Sequence, residues 1–370
     1  MRSLVIGWVF VLAFGLAGCK SATSPSQTSS DADFDRTFEA LRGAHGLSAL
    51  NVGLIRGGQL VEVGAYGTAD RRSGSPARPD TIYALASVSK VFVGLAIARA
   101  IELGVGPDLD ADINDYLRWS RPLAHPDFPD EPVTLRHLVR HKGGLVADGP
   151  GDYEDYPKPD PTGSLDGFLE GLLVDPAYWT DQAPGEAEEY SNLGTALAAL
   201  VVEKAVGRPF EEFCNAEVFG PLGMNDTRWF YRELSQDQRG RLARPQGEDG
   251  PLEHYGFSDW PSGQLRSTVA DLGRAIAMLV AKGQLEGRSI LGRAAFDLFH
   301  GTPLFIGTDD GRFSHSGGES GVNTYIEYDA KGDGLIILTN QDLDDDVLEA
   351  MLDEVEAELR GWSSTGSTEQ

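Results

Sequence analysis

Apolar positions along this chain follow two rhythms. Leu50 to Ile55 and Leu60 to Tyr66 read as two strands around a turn at Arg56-Gly57-Gly58-Gln59. The same pattern returns near the end, with Val322 to Tyr328, a turn over Asp329 to Gly334, and Leu335 to Thr339. Between these ends the spacing becomes helical. The run "ALASVSKVFVGLAIARAI", which starts at Ala84, is apolar on almost every face after Lys90 and predicts a buried helix opening at Ser87. Shorter helical pieces fall at Leu135 to Arg140 and Leu165 to Leu173, inside a segment rich in Pro, Asp and Gly. Tyr190 to Val206 predicts an amphipathic helix with Leu193, Leu197, Leu200 and Val201 on one face and Gly207 as its stop. Asp271 to Lys282 and Asp344 to Leu359 add two more, the last with acids where the helix dipole favours them.

Strands at both ends and helices between them predict an α/β fold. The expected architecture is one antiparallel sheet of hairpin-linked strands completed by both ends of the chain, with a mostly helical insertion. One domain over residues 35–362 is expected, with a sheet lobe at about 35–80 and 300–362 and a helical lobe at about 105–260. Residues 363–370 read as a polar tail.

The N-terminus carries Arg2 and an apolar run from Leu4 to Leu16, too short to span a membrane comfortably. It ends in Leu16-Ala17-Gly18-Cys19, which resembles a bacterial lipoprotein signal box. That resemblance implies a signal peptide over residues 1–18, a lipidated Cys19, and a flexible tether over 19–34 rich in Ser, Thr, Asp and Pro. The expected product is an exported lipoprotein, anchored to a membrane through Cys19. An ordinary signal peptide with a chance cysteine is the competing reading. Cys214 is the other cysteine, which leaves no intrachain pair; it reads as a small buried hydrophobe. The net charge of −26 argues against a nucleic-acid partner.

Candidate chemistry begins with Ser87-Val88-Ser89-Lys90. Three residues apart on a helix, Ser87 and Lys90 share a face. A serine becomes a nucleophile when a base takes its proton, and burial lowers a lysine pKa in the direction a base needs. A capping serine followed by a lysine that snorkels to solvent fits the same four residues. Tyr190-Ser191-Asn192 supplies a second element, in which Tyr190 could relay a proton and Asn192 could bind a substrate amide. Ser191 or Asn192 could equally be no more than a helix cap. His315-Ser316-Gly317-Gly318 supplies the third, with small residues that let a substrate backbone approach. The N–H groups of Ser87 and Gly318 are candidates for an oxyanion hole.

These elements, in this order, resemble the penicillin-recognising serine hydrolases of the class C type. That group holds class C β-lactamases, D-alanyl-D-alanine carboxypeptidases and related esterases. Softer likenesses lie in "LRHLVRHKGGL", "PGEAEEYSNLG", "PLGMNDTRW" and "SGQLRSTVADLGR". The resemblance implies an antiparallel sheet flanked by helices, plus a mostly helical domain. It implies an acyl-enzyme on Ser87, with Lys90 and Tyr190 moving protons and His315 assisting. It further implies substrate contacts from Asn192, Ser316 and Gly317, and neither cofactor nor metal. His137 and His141 are four apart, but no third ligand accompanies them. His315-Ser316-Gly317 stands where class C β-lactamases carry Lys-Thr-Gly, which speaks against efficient β-lactam hydrolysis. The expected function is thus an exported serine hydrolase acting on a small amide or ester, such as a D-amino-acid peptide. A β-lactamase and a non-catalytic receptor for peptidoglycan or peptides are the alternatives.

Overall fold

The computed structural model describes residues 29–146, 158–343 and 347–355. Residues 1–28, with Cys19 and most of the expected tether, lie outside them, as does the polar tail. The chain opens with helix α1 (Ser29–Ala44), so the tether expected up to residue 34 enters a helix at Ser29. Strands β1 (Ala49–Arg56) and β2 (Gln59–Asp70) follow, then a two-residue strand β3 (Ser75–Pro76). The middle of the chain holds helices α2 (Ser89–Glu102), α3 (Leu135–Val139), α4 (Leu165–Leu172), α5 (Asn192–Val206), α6 (Val269–Val280) and α7 (Arg293–Gly301). The last strands are β4 (Gly307–Asp309), β5 (Arg312–Glu319), β6 (Val322–Asp329) and β7 (Gly334–Thr339). Residues 347–355 are helical.

All seven strands form one antiparallel sheet in the order β4-β5-β6-β7-β1-β2-β3. The two ends of the chain meet at its centre, where Leu50 pairs with Thr339 and Gly53 with Ile336. The β1–β2 turn falls at Gly57-Gly58, both with positive φ, which suits a tight hairpin. Alternation sorts the side chains onto two cores. Leu50, Val52 and Leu54 of β1, with Leu335 and Ile337 of β7, meet Phe34 and Phe38 of α1 and Leu348 and Met351. Ala49 and Ile55, with Ile336 and Leu338, face the larger core that includes Val269, Leu272 and Ile276 of α6. The strands are therefore apolar on both sides, and a sheet with helices on both faces results, as the family resemblance implies.

Helix α2 is buried from Ser89 to Ala98, as its all-round apolar pattern requires. Helix α5 differs from expectation. It is buried on every side from Leu193 to Val202, not amphipathic. Small residues explain this, since Gly194, Ala196, Ala198 and Ala199 let neighbours pack closely on the faces without leucine. Gly207 closes α5 in the left-handed region with φ of 68°, as expected. Cys214 is a free, fully buried thiol. Among the described residues no helix is long and apolar enough to cross a membrane.

One glycine positions the candidate site. A Cβ on Gly317 would lie 2.5 Å from the Leu85 carbonyl, 2.6 Å from Thr324 Oγ1 and 2.9 Å from the Ser87 nitrogen. Strand β5 can thus lie against the Ser87 turn only because residue 317 has no side chain. Two of these neighbours are backbone, which cannot swing aside. Gly317→Ala should therefore destabilise the fold by about 1–3 kcal/mol, the usual cost of overpacking. Urea unfolding checks this, and a midpoint equal to that of the parent would refute it.

Candidate active site

The candidate nucleophile sits on a short turn wedged between two strands. Tyr83 and Ala84 pair with Ser267 and Arg266, and the Leu85 N–H donates to the Leu265 carbonyl at 2.8 Å. Ala86 then takes a left-handed φ of 46°, which costs energy in a residue with a Cβ. A single 3-10 turn over Ala86–Val88 follows, and α2 begins at Ser89. Ser87 thus precedes the α-helix instead of opening it. The reason is Ala86, whose positive φ swings the chain out of the strand before helical geometry begins. Val88 and Ser89 already have helical angles, so the Ser-x-x-Lys spacing still places both side chains on one face.

The Lys90 ammonium is fully buried. Its Nζ lies 2.9 Å from Ser87 Oγ and donates to the Ser262 carbonyl at 2.8 Å. It also stands 4.9 Å from the centre of the Tyr190 ring, within cation–π range. The Tyr190 hydroxyl donates to Ser87 Oγ at 2.8 Å. Lys90 therefore does not snorkel; the buried reading of the motif holds geometrically. Burial pushes the Tyr190 phenol up to about 12, partly countered by its bond to Ser87, so the hydroxyl keeps its proton at neutral pH.

Ser191 is the N-cap of α5, its hydroxyl accepting the Gly194 N–H at 3.1 Å, so the capping role applies to that residue. Asn192 is the first residue of α5 and is half-buried. His315, Ser316, Gly317 and Gly318 all lie on β5. Strand β4 pairs only with Arg312 to Ser314, so residues 315–319 have no strand on their outer edge among the described residues. Gly318 is exposed on that edge. The side of Gly317 where a Cβ would stand is filled by Leu85, Ser87 and Thr324.

His315 Nδ1 lies 2.6 Å from the Ser316 carbonyl. A carbonyl only accepts, so Nδ1 carries the proton and Nε2 is left as an acceptor. Burial, then the nearby Lys90 charge, holds His315 at about 4. A neutral His315 carries no charge to anchor a carboxylate, and its Nε2 is free to accept a proton. A cavity of about 510 Å³ opens beside these groups, lined among others by His141, Tyr190, Phe305, His315, Ser316 and Tyr325.

Sequence reasoning missed two contributors. The Ser262 carbonyl holds Lys90, and the buried Asp259 accepts the Ser262 hydroxyl at 2.8 Å. A carbonyl has no side-chain signature, so only the flank "SGQLRSTVADLGR" hinted at it. His141, read from the sequence as half of a ligand pair and as part of the family-like flank "LRHLVRHKGGL" at the cleft entrance, packs against Tyr190 with ring centres 4.6 Å apart. No group of three or more metal-ligating side chains occurs among the described residues.

The histidines make stability depend on pH. Burial, as the largest cause, holds His141 at about 3 and His254 and His315 at about 4, against an ordinary 6.5. It also lowers His125, His137 and His300. Between about pH 6.5 and 4 the unfolded chain thus binds protons that the folded one does not, and stability falls as pH falls. Glu203, Glu211 and Asp271, raised by burial, act in the opposite sense. The lowered histidines outnumber these acids, and Glu39, Asp110 and Asp226, held low by their arginine partners, act with the histidines, so calorimetry should show Tm dropping between pH 7 and pH 5. A Tm that rises over that range would contradict this balance.

Comparison with known proteins gives the geometry a context. Penicillin-binding protein 4* of Bacillus subtilis is 28% identical over 350 residues, covering 88% of this chain and 75% of that protein. Esterase EstB of Burkholderia gladioli is 35% identical over 211 residues, covering 53% of this chain and half of that protein. The structure of a β-lactamase/D-alanine carboxypeptidase from Pseudomonas syringae superposes with a TM-score of 0.71 at 17% identity. It covers 89% of this chain and 99% of that one, which shows a shared fold. The Beta-lactamase family model matches residues 34–358, most of the chain. This protein belongs to the Beta-lactamase family.

Proposed function

We propose that this protein is an exported serine hydrolase that forms an acyl-enzyme on Ser87 and cleaves a small amide or ester, with D-amino-acid peptides as the favoured class. The observation that carries the reading is Ser87 Oγ held between Lys90 Nζ at 2.9 Å and the Tyr190 hydroxyl at 2.8 Å. In the neutral form Lys90 takes the Ser87 proton as Oγ attacks the carbonyl carbon. The N–H groups of Ser87 and Gly318 receive the oxyanion. Tyr190 gives its proton to the leaving nitrogen or oxygen and is refilled from Lys90. Water then attacks the ester on Ser87 by the reverse proton route, releasing the acid. His315 offers Nε2 as a further acceptor; Asn192 and Ser316 flank the substrate.

Membership of the family supports acyl-enzyme chemistry in general. The uncovered edge of β5 suits a short extended peptide, which can pair there as an added strand. The cavity of about 510 Å³ has room for a side chain or small acyl group. Residues 35–362 act as one unit in this reading, with the cleft between sheet and helices. Neutral His315 in place of a lysine offers little pull on a β-lactam carboxylate, so turnover of penicillins is expected to be poor.

Intact-protein mass after exposure to a fluorophosphonate and, separately, to a penicillin tests the assignment. One adduct per chain is expected on the parent protein with the fluorophosphonate and none on Ser87→Ala. Lys90→Ala should lose at least about 100-fold in kcat/KM, the share of general base catalysis. Labelling that persists in Ser87→Ala would refute the nucleophile. A fully active Lys90→Ala would refute the base.

Membrane anchoring through Cys19 is part of the same proposal and rests on Leu16-Ala17-Gly18-Cys19. Cys19→Ala, expressed in a bacterium that processes lipoproteins, should move the protein from the membrane fraction to the soluble one. An unchanged distribution would overturn the anchor.

A further inference from the structure

Tyr190 stands just before the N-cap of α5, so its own backbone belongs to no helix or strand. It is also 43% exposed. A ring so placed would swing unless its surroundings held it. Its hydroxyl is tied to Ser87 Oγ and its ring lies beside Lys90, and three further contacts all come from His141. The His141 carbonyl accepts the Glu189 N–H at 2.7 Å. Its Nδ1 accepts the Ser191 N–H at 3.1 Å. Its ring lies 4.6 Å from the Tyr190 ring, tilted by 32°. The residues on both sides of Tyr190, and part of its ring, therefore rest on His141.

His141 is itself tightly held. It takes a left-handed φ of 53° immediately after α3. Its N–H donates to the Leu138 carbonyl at 3.1 Å, and Phe305 meets its ring edge-on at 5.4 Å. Only a residue that tolerates this backbone and carries an acceptor at the δ position can keep both amide bonds.

We propose that His141 is a positioning residue for Tyr190, aligning its phenol on Ser87 through the Glu189 and Ser191 amides and the ring contact. The inference rests on reading Tyr190 as a proton-handling group. Nδ1 accepts the Ser191 N–H only while it carries no proton. Burial, then Lys90 and His315, holds His141 at about 3, so the acceptor persists across neutral pH. The charged or titratable groups around the ring are Lys90, His315 and Tyr190, with Arg140 and Glu188 on the cavity wall.

Asparagine separates positioning from bulk. It tolerates a positive φ, and its Oδ1 can occupy the place of Nδ1. His141→Asn should keep kcat within about fivefold, whereas His141→Leu should lower it by about tenfold or more with KM little changed. Both are read on protein that melts cooperatively. In a Tyr190→Phe background, where no phenol remains to align, His141→Leu should cost nothing further. Equal losses in Asn and Leu variants, or a Leu loss that is the same with and without the phenol, would overturn the proposal. Full activity in Tyr190→Phe alone would instead sink the reading of Tyr190. A readout independent of catalysis is the ¹⁵N spectrum of histidine-labelled protein. One ring, lost in His141→Asn, should stay unprotonated at Nδ1 at pH 6; a proton on that nitrogen would overturn the proposal.

Discussion

A fully buried ammonium is the constraint on which this site depends. Leaving such a charge without partners in a protein interior would cost several kcal/mol or more. Lys90 meets that demand with one hydroxyl, one main-chain carbonyl and one aromatic face. Each partner fixes a different part of the chain. Ser87 fixes the strained turn after Ala84, Ser262 the loop that leads into α6, and Tyr190 the entrance to α5. Satisfying one charge thus brings together segments far apart in sequence. What remains is a hydroxyl with a lysine and a tyrosine at hydrogen-bond distance.

Burial first, and then the same charge, keeps the histidines around it neutral. A second cation beside Lys90 would be repelled, and burial already disfavours it. His141 and His315 are therefore neutral, and each has its tautomer set by one bond. His315 donates through Nδ1 to a carbonyl, while His141 accepts through Nδ1 from an amide. Two residues of the same type thereby take opposite polarity within one cleft. Neither offers the positive charge that would draw an anionic ligand.

Much of this was legible in the sequence, where periodicity dictates the outcome. Both hairpins, the buried α2 and the Gly207 stop follow from pattern alone. The order of Ser87-Lys90, Tyr190 and His315 identified the side chains that the fold then brought together. Features set by backbone were not legible. Nothing in the letters of Ala86 reveals a positive φ, and nothing in Ser262 reveals that its carbonyl holds a lysine. Helix α1 was hidden inside a polar run because Phe34 and Phe38 are its main apolar signal before Leu41. The burial of α5 on all sides depended on alanines, which periodicity counts weakly.

The central pairing of β1 with β7 has a consequence for how the protein comes into being. The Ala49 N–H is bonded to Asn340 Oδ1, 291 positions away, and the Ser87 turn leans on Gly317 and Thr324. A growing chain therefore carries Ser87, the proposed nucleophile, long before the parts that shape its surroundings exist. Until the last strands emerge, β1 lacks its central neighbour, and such distant closures are slow to form. The reactive centre is in this sense timed by translation. An interrupted chain would hold every residue of the first two motifs and still have no cleft in which to use them.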